Sequence, residues 1–117
     1  MANIGIGALE AAGNAKIKAI GAEVDQYFAV PENVRWYLLT SAVKNTDKGV
    51  EQVIREFIDK NLKVGIRQVK MAENGVGLAS YHEWEERIDW PCKQKVEKAR
   101  QELTAGVISV DVEKVSN

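Results

Sequence analysis

Residues 38–44 read Leu-Leu-Thr-Ser-Ala-Val-Lys, an apolar run that ends in two hydroxyl side chains and a lysine. Residues 18–26 read Lys-Ala-Ile-Gly-Ala-Glu-Val-Asp-Gln, so the second run ends in two carboxylates and an amide. Ligands of open α/β sheets bind beyond the carboxyl ends of the strands. The two segments therefore predict strands that present Glu23, Asp25 and Lys44 to part of a polar small-molecule site.

The flanking sequence alternates helical and extended patterns. Small apolar residues over 4–13 predict a short helix. Apolar or small residues on both faces of 17–24 predict a buried parallel strand. A loop that turns at 31–33 follows, and the aromatic and aliphatic residues of 34–43 predict the next strand. Alternation over 64–71 predicts another strand, and alternation over 108–112 predicts a short edge strand. The fold class is therefore α/β, with a mostly parallel sheet flanked by helices.

A helix over 46–62 is the best-defined element of the sequence. Thr46 is the expected cap, and Asp47 places a negative charge in the first turn, where the helix dipole favours it. Apolar side chains follow at helical spacing, at Val50, Val53, Ile54, Phe57 and Ile58. A last helix over about 90–105 starts with Pro91 and carries an apolar stripe that includes Cys92.

Chain length, charge and composition exclude several classes of function. A chain of 117 residues suits a single domain over 1–117, and a formal charge of −1 gives no electrostatic basis for binding nucleic acid or an anionic membrane. The sequence has no stretch long and apolar enough to insert into a membrane and no signal peptide, so as written we expect a cytoplasmic protein. The single cysteine excludes an internal disulfide.

Five motifs in order resemble the C-terminal third of the basic membrane protein family. They are the glycine turn at 5–8, the acidic strand end at 21–26, Leu-Thr-Ser-Ala-Val-Lys at 39–44, the amphipathic helix, and Asn-Gly-Val-Gly-Leu-Ala at 74–79. Members of this family are purine nucleoside receptor-like lipoproteins with a type I periplasmic binding protein fold. The resemblance implies a partial lobe of that fold, related to proteins that are exported and deliver nucleosides to ABC transporters.

The resemblance also assigns ligand-binding residues. It implies that Glu23 and Lys44 bind sugar hydroxyls and that Gly5 and Gly7 bring the backbone close to the ligand, with Asp25 beside them. The family pattern has Asp where this chain has Glu23. Each position also has a simpler explanation: the acidic residues suit a solvated turn, Lys44 suits a surface, and the glycines suit a tight helix entry. Both explanations stay open at this point.

The sequence has no constellation of catalytic residues, so we expect no enzyme and no cofactor. His82 is the only histidine and has no further ligands at metal-binding spacing. Cys92 lies on an apolar stripe, which predicts a buried thiol rather than a nucleophile. The three tryptophans are expected to be packing anchors.

Two functional hypotheses remain. The first is a non-catalytic module that binds a nucleoside or a sugar-like ligand. The alternative is a truncated relic that acts as an oligomeric interaction or structural protein without a ligand. In both, the apolar stripe of the 46–62 helix predicts a homo-oligomer, because such a stripe left exposed usually marks an interface.

Overall fold

The computed structural model describes residues 3–110. Four α-helices lie at Asn3–Asn14 (α1), Glu32–Arg35 (α2), Thr46–Ile58 (α3) and Trp90–Thr104 (α4). Three strands lie at Ala19–Glu23 (β1), Leu38–Lys44 (β2) and Val76–Leu78 (β3). Short 3-10 turns occupy Gln26–Phe28, Met71–Glu73 and His82–Trp84.

The sheet is mixed, with β2 in the centre. β1 pairs with β2 in parallel, from Ala19 opposite Leu38 to Glu23 opposite Val43, with an irregularity after Ala19. β3 pairs with the end of β2 in the antiparallel sense, with Leu78 opposite Ala42 and Val76 opposite Lys44. The α/β class with a partial, helix-flanked sheet is confirmed.

A small core lies between the sheet and the first two helices. Leu9 of α1, Val34 of α2, Leu38 of β2 and Val30 are its buried apolar side chains, and Ala19 and Tyr27 pack against them. Neither α3 nor α4 has a buried residue. The hydrophobic effect therefore holds one face of the sheet firmly and leaves the two long helices at the periphery.

The predicted strand over 34–43 begins too early. Val34 belongs to α2, where its backbone N–H donates to the carbonyl of Pro31 at 2.9 Å, and its side chain is part of the core. The N–H of Tyr37 donates back to Val34 at 2.8 Å, which ends the turn just before β2. The turn that begins at Pro31 thus supplies hydrogen-bond partners for the backbone groups of Val34 and Tyr37, which the sequence pattern had assigned to a strand.

The predicted strand over 64–71 does not form. Gly65 adopts φ +137°, and Val64 and Ile66 are completely exposed, so the alternation of apolar residues finds no partner strand in the described part of the chain. At the other end, residues 108–110 are not a strand, and the remaining predicted strand residues 111–112 lie outside the described residues.

Both long helices match their predicted positions with small corrections. α3 ends at Ile58 rather than 62, because Asp59 closes it and Lys60 turns the backbone to φ +57°. Thr46 is its first helical residue and not its cap; Asn45 precedes it. α4 is capped by Asp89, whose carboxylate accepts from the Cys92 N–H at 3.2 Å. The Cys92 side chain is exposed, so the prediction of a buried thiol was wrong.

Candidate functional site

The two polar strand ends meet at the carboxyl edge of the parallel pair. Glu23 is the last residue of β1 and Lys44 the last of β2, one position beyond the residue that pairs with Glu23. The Lys44 Nζ lies 3.7 Å from Glu23 Oε1, and both side chains are more than half exposed. The structure therefore brings together the two residues that the sequence selected from separate segments, at the edge where α/β sheets bind ligands.

A tight turn sets the direction of the Glu23 side chain. The N–H of Val24 donates to the carbonyl of Ala22 at 3.0 Å, which encloses Glu23 in a three-residue turn with φ +74°. This left-handed backbone makes β1 stop abruptly. The turn therefore ends β1 at the residue whose carboxylate lies 3.7 Å from Lys44.

Asp25 has a different place from Glu23 and Lys44. Its Oδ1 accepts from the Tyr27 N–H at 3.2 Å and caps the 3-10 turn at Gln26–Phe28. Its Oδ2 lies 2.7 Å from Nε2 of His82, with both side chains mostly buried. Both carboxylate oxygens are thus engaged by the protein, which assigns Asp25 a structural role beside the Glu23–Lys44 pair.

The glycine turn lies at the start of α1, and its two glycines, Gly5 and Gly7, differ in their surroundings. A Cβ added to Gly5 would lie 3.5 Å from Nε2 of Gln26, so Gly5 faces the residues that follow β1. A Cβ added to Gly7 would meet nothing within 4 Å. The structure therefore places Gly5 near the carboxyl edge of the sheet and leaves Gly7 facing open space.

A buried polar lock beneath the pair was missed by sequence reasoning. Ser41 and Gln26 are both buried, and the Ser41 Oγ accepts from the Gln26 N–H at 3.1 Å. The Gln26 Oε1 in turn accepts from the Ala22 N–H at 2.9 Å. The lock connects the ends of β1 and β2. Its bond to β1 is at Ala22, one residue before Glu23, and its bond to β2 is at Ser41, three residues before Lys44.

Gly21 is required for this lock. A Cβ at Gly21 would lie only 2.5 Å from Ser41 Oγ and 2.6 Å from Gln26 Oε1. A glycine inside a strand commonly marks such a close approach. Gly21 pairs with Ser41 across β1 and β2, and a glycine within the first predicted strand is the sequence feature that could have indicated this close approach.

An aromatic cluster continues from Asp25. The ring of His82 stacks on Tyr27 with centroids 4.0 Å apart, and Phe28 meets both rings edge-on. The Tyr27 hydroxyl donates to Glu83 at 2.7 Å, and this hydrogen bond raises the pKa of the phenol. The cluster connects the turn at His82–Trp84 to the segment after β1.

A second cluster lies around Lys18, just before β1. Its ammonium lies 3.7 Å from the ring centroid of Trp84 and 5.0 Å from that of Trp36, and it donates to the Trp36 carbonyl at 2.9 Å. Loss of water and the nearby Arg87 lower the pKa of Lys18. The rings of Trp36 and Trp84 contact each other with centroids 5.0 Å apart, although 41% of Trp36 is exposed. Trp90 is 69% exposed, so the prediction of a packing anchor was wrong for this residue.

An open groove of about 540 Å³ adjoins the pair on the α3 side. Lys44 lies at one end of it, α3 forms one wall from Gly49 to Ile54, and Val69 and Val76 belong to the opposite wall. The backbone N–H of Asn45 donates to Gly75 at 2.9 Å and its side chain donates to Asn74 at 2.8 Å. These bonds fix the start of α3 against β3 and thereby fix the position of Lys44.

Glu23 and Lys44 give the carboxyl edge groups that form hydrogen bonds and ionic interactions. A carboxylate accepts hydrogen bonds and an ammonium donates them, which together suit a ligand rich in hydroxyl groups. The ion pair is exposed and therefore contributes little to stability, so each partner can exchange its contact for a ligand at small cost. Within residues 3–110, three or more histidine, cysteine or acidic side chains do not converge into a metal-binding group.

Comparison with protein-family models gives a match over nearly the whole chain. A family model described as ABC transporter substrate-binding protein, PnrA-like, matches residues 2–114. A search of curated proteins found no match. None of the helices within residues 3–110 has the length and the apolar composition that crossing a bilayer requires. Because the match covers nearly the whole chain, this protein belongs to the Bmp family of PnrA-like ABC transporter substrate-binding proteins.

Proposed function

We propose that the chain is a non-catalytic module that binds a nucleoside or a similar sugar-containing small molecule. Glu23 accepts hydrogen bonds from the sugar hydroxyls, and Lys44 donates to the same group. The observation that supports this proposal most directly is the convergence of these two side chains at the carboxyl edge of β1 and β2. Membership of a substrate-binding family supports the same class of function.

The burial pattern supports the roles of the individual residues. Glu23 and Lys44 are exposed and joined at 3.7 Å, so a ligand can reach both. The lock beneath them, Gln26 with Ser41, is buried and fixed. A fixed support beneath the contact groups reduces the cost of positioning them when a ligand binds.

Thermal shift and calorimetry with purine nucleosides test the proposal. A ligand present at about 100 times its dissociation constant stabilises the folded protein by about 2.7 kcal/mol. Adenosine or guanosine should raise the melting temperature, while the free nucleobase should have a smaller effect because it lacks the sugar hydroxyls.

Two variants remove the contact groups without changing their size greatly. Glu23→Gln and Lys44→Met should each abolish most of the nucleoside-induced shift. Glu86→Gln and Lys95→Met, exposed substitutions elsewhere on the surface, are the matched controls and should keep it. A shift that survives both Glu23→Gln and Lys44→Met would exclude the proposed contacts, and no shift with any nucleoside or ribose would exclude the function.

The second candidate is an interaction protein without a ligand. It is favoured by the apolar side chains of α3, which extend into solvent along the whole helix. In this case nucleosides leave the melting temperature unchanged, whereas substitutions on α3 change the molecular mass in solution. The two sets of measurements therefore distinguish the candidates.

A further inference from the structure

Residues 60–70 differ sharply in charge from the rest of the chain. They read Lys-Asn-Leu-Lys-Val-Gly-Ile-Arg-Gln-Val-Lys, with four cationic side chains and no acidic one. The formal charge of the whole chain is −1, so setting these four positive charges aside leaves −5 for the other residues. The net charge, which gives no basis for binding an anionic surface, is therefore an average over an uneven distribution, and this segment, here called the basic loop, is locally cationic.

The basic loop projects from the end of α3. The Asn61 N–H donates to the Glu56 carbonyl at 2.8 Å, and Arg67 Nη2 donates to the Glu56 carboxylate, so one residue of the helix holds both sides of the loop. Gly65 lies between these anchors with φ +137°, and a Cβ added to it would meet nothing within 4 Å. The tip of the loop therefore stands clear of the rest of the described chain.

Aliphatic side chains occupy the exposed tip of the basic loop. Leu62 is 43% exposed, and Val64 and Ile66 are completely exposed. Phe57 and Ile58, each 70% exposed, lie in the last turn of α3, from which the loop departs. Exposed apolar side chains grouped in this way mark an interaction surface.

Two lysines of the basic loop keep their charge available to a partner. Lys60 and Lys63 are exposed, and neither forms an ion pair within residues 3–110. At the far end of the loop, the Glu73 carboxylate accepts from the Lys70 backbone N–H at 2.9 Å, so a negative charge lies close to that lysine. The uncompensated positive charge of the loop therefore lies beside its apolar tip.

We propose that the basic loop docks on the surface of an anionic phospholipid bilayer. Val64 and Ile66 enter the boundary between headgroups and acyl chains, and Lys60 and Lys63 meet the lipid phosphates. Burial of apolar area and the attraction of lysines to anionic lipid add together at such a surface. The backbone of 62–66 is irregular and needs water for its hydrogen bonds, so the loop stays at headgroup depth and does not cross the hydrocarbon core.

The side chains of the basic loop favour lipid over other anionic partners. Single-stranded nucleic acid is bound by basic grooves with aromatic rings on which the bases stack, and residues 60–70 contain no aromatic residue. Phosphates alone also give the aliphatic side chains of the tip no apolar contact. A bilayer supplies an anionic layer with an apolar layer beneath it, and this docking is independent of the nucleoside site at Glu23 and Lys44.

Co-sedimentation with vesicles tests the docking. We expect the protein to bind vesicles that contain phosphatidylglycerol, to bind pure phosphatidylcholine vesicles weakly, and to be released by salt. Lys60→Gln combined with Lys63→Gln should weaken binding about 30-fold, since each lysine near an anionic surface contributes about 1 kcal/mol. Lys16→Gln combined with Lys95→Gln removes the same charge at exposed positions outside the loop and should retain the binding.

The apolar tip is tested without a change of charge. Val64→Asn combined with Ile66→Asn should weaken binding to the phosphatidylglycerol vesicles, whereas Val107→Asn combined with Val110→Asn, at exposed apolar positions outside the loop, should not. A polarity-sensitive dye on Val64→Cys, in a Cys92→Ser background, should emit at shorter wavelength when these vesicles are added. The same dye on Val107→Cys is the control and should show no shift.

Three results with vesicles would overturn the proposal. They are no binding to any vesicle, equal binding of the two paired lysine variants, and a dye at position 64 that stays in water while the protein sediments. Binding to polyglutamate or polyuridylate that is as tight as binding to the vesicles would also overturn it, because the loop would then recognise negative charge alone. Circular dichroism shows that each variant is folded.

Discussion

The hydroxyl of Ser41 accepts a hydrogen bond from the backbone N–H of Gln26 at 3.1 Å, and both residues are buried. Ser41 lies in β2, and Gln26 lies three residues beyond the end of β1. This bond connects the two strand ends that carry the candidate ligand contacts. The positions of Glu23 and Lys44 therefore depend on the Ser41 side chain, which forms its hydrogen bond with Gln26 rather than with either of them.

Ser41→Ala should destabilise the protein by about 1–3 kcal/mol, because the Gln26 N–H would be left buried without an acceptor. Urea denaturation measures the loss. Ser109→Ala, at an exposed position, should change the free energy of unfolding by less than about 0.5 kcal/mol. An equal effect of both substitutions would show that the Ser41 hydroxyl has no special role.

Gly21→Ala should be strongly destabilising, since its Cβ would lie 2.5 Å from Ser41 Oγ and 2.6 Å from Gln26 Oε1. Overpacking of this kind costs about 1–3 kcal/mol. Gly7→Ala is the matched control within α1, where a Cβ meets nothing within 4 Å. It should stabilise the helix by about 0.5–1 kcal/mol, because alanine is the better helix former. Thermal unfolding of the two variants should therefore move in opposite directions.

Asp25 and His82 should show measurable coupling in a double-mutant cycle. The two side chains meet at 2.7 Å, and the histidine also stacks on Tyr27. Asp25→Asn, His82→Gln and the double variant isolate the pair, and we expect an interaction energy of about 1 kcal/mol from denaturation curves. Strictly additive effects would mean that the stacking with Tyr27, rather than the carboxylate, holds the His82 ring.

The carboxyl of Glu97 should make the stability of α4 depend on acid pH. Its hydrogen bonds with Arg100 and then Gln101 lower the pKa from 4.5 to about 2. The folded pKa lies below the unfolded value, so the stabilisation is complete above pH 4.5 and is lost as the pH falls through about 2. Helicity followed by circular dichroism should decrease over this window.

Arg100→Gln provides the control for the acid transition. Without the guanidinium, the Glu97 pKa returns toward its ordinary value, so the Glu97 contribution to the pH dependence should disappear. High salt should weaken the effect in the original chain, because about half of each side chain of the pair is exposed to solvent. A transition that is unchanged in Arg100→Gln would assign it to another carboxyl.

Elements with local periodicity could be predicted from the sequence. α3 and α4 were placed within a few residues, because their spacing, capping and first-turn residues all lie inside the element itself. The strand ends at Glu23 and Lys44 were also identified correctly as neighbours. Parallel strands align their carboxyl ends, so the sheet class was enough to bring the two together.

Features that depend on distant partners could not be predicted. Val64 and Ile66 alternate as strand residues do, but a strand also needs a neighbour, and both residues remain in solvent. Val34 matches strand composition, yet a turn from Pro31 directs it into the core. His82 lies 57 residues from Asp25, and no local pattern in the sequence indicates that the two meet.

The left-handed backbone at Glu23 determines which substitutions this edge of the sheet tolerates. A residue with a Cβ in such a turn stores conformational energy on the order of 1–3 kcal/mol. Asparagine and aspartate adopt this conformation more readily than glutamate. Glu23→Asp should therefore relax the turn while shortening the side chain that reaches Lys44. Backbone stability and the ion pair with Lys44 therefore make opposite demands on this position, because aspartate suits the backbone better and glutamate reaches farther toward Lys44.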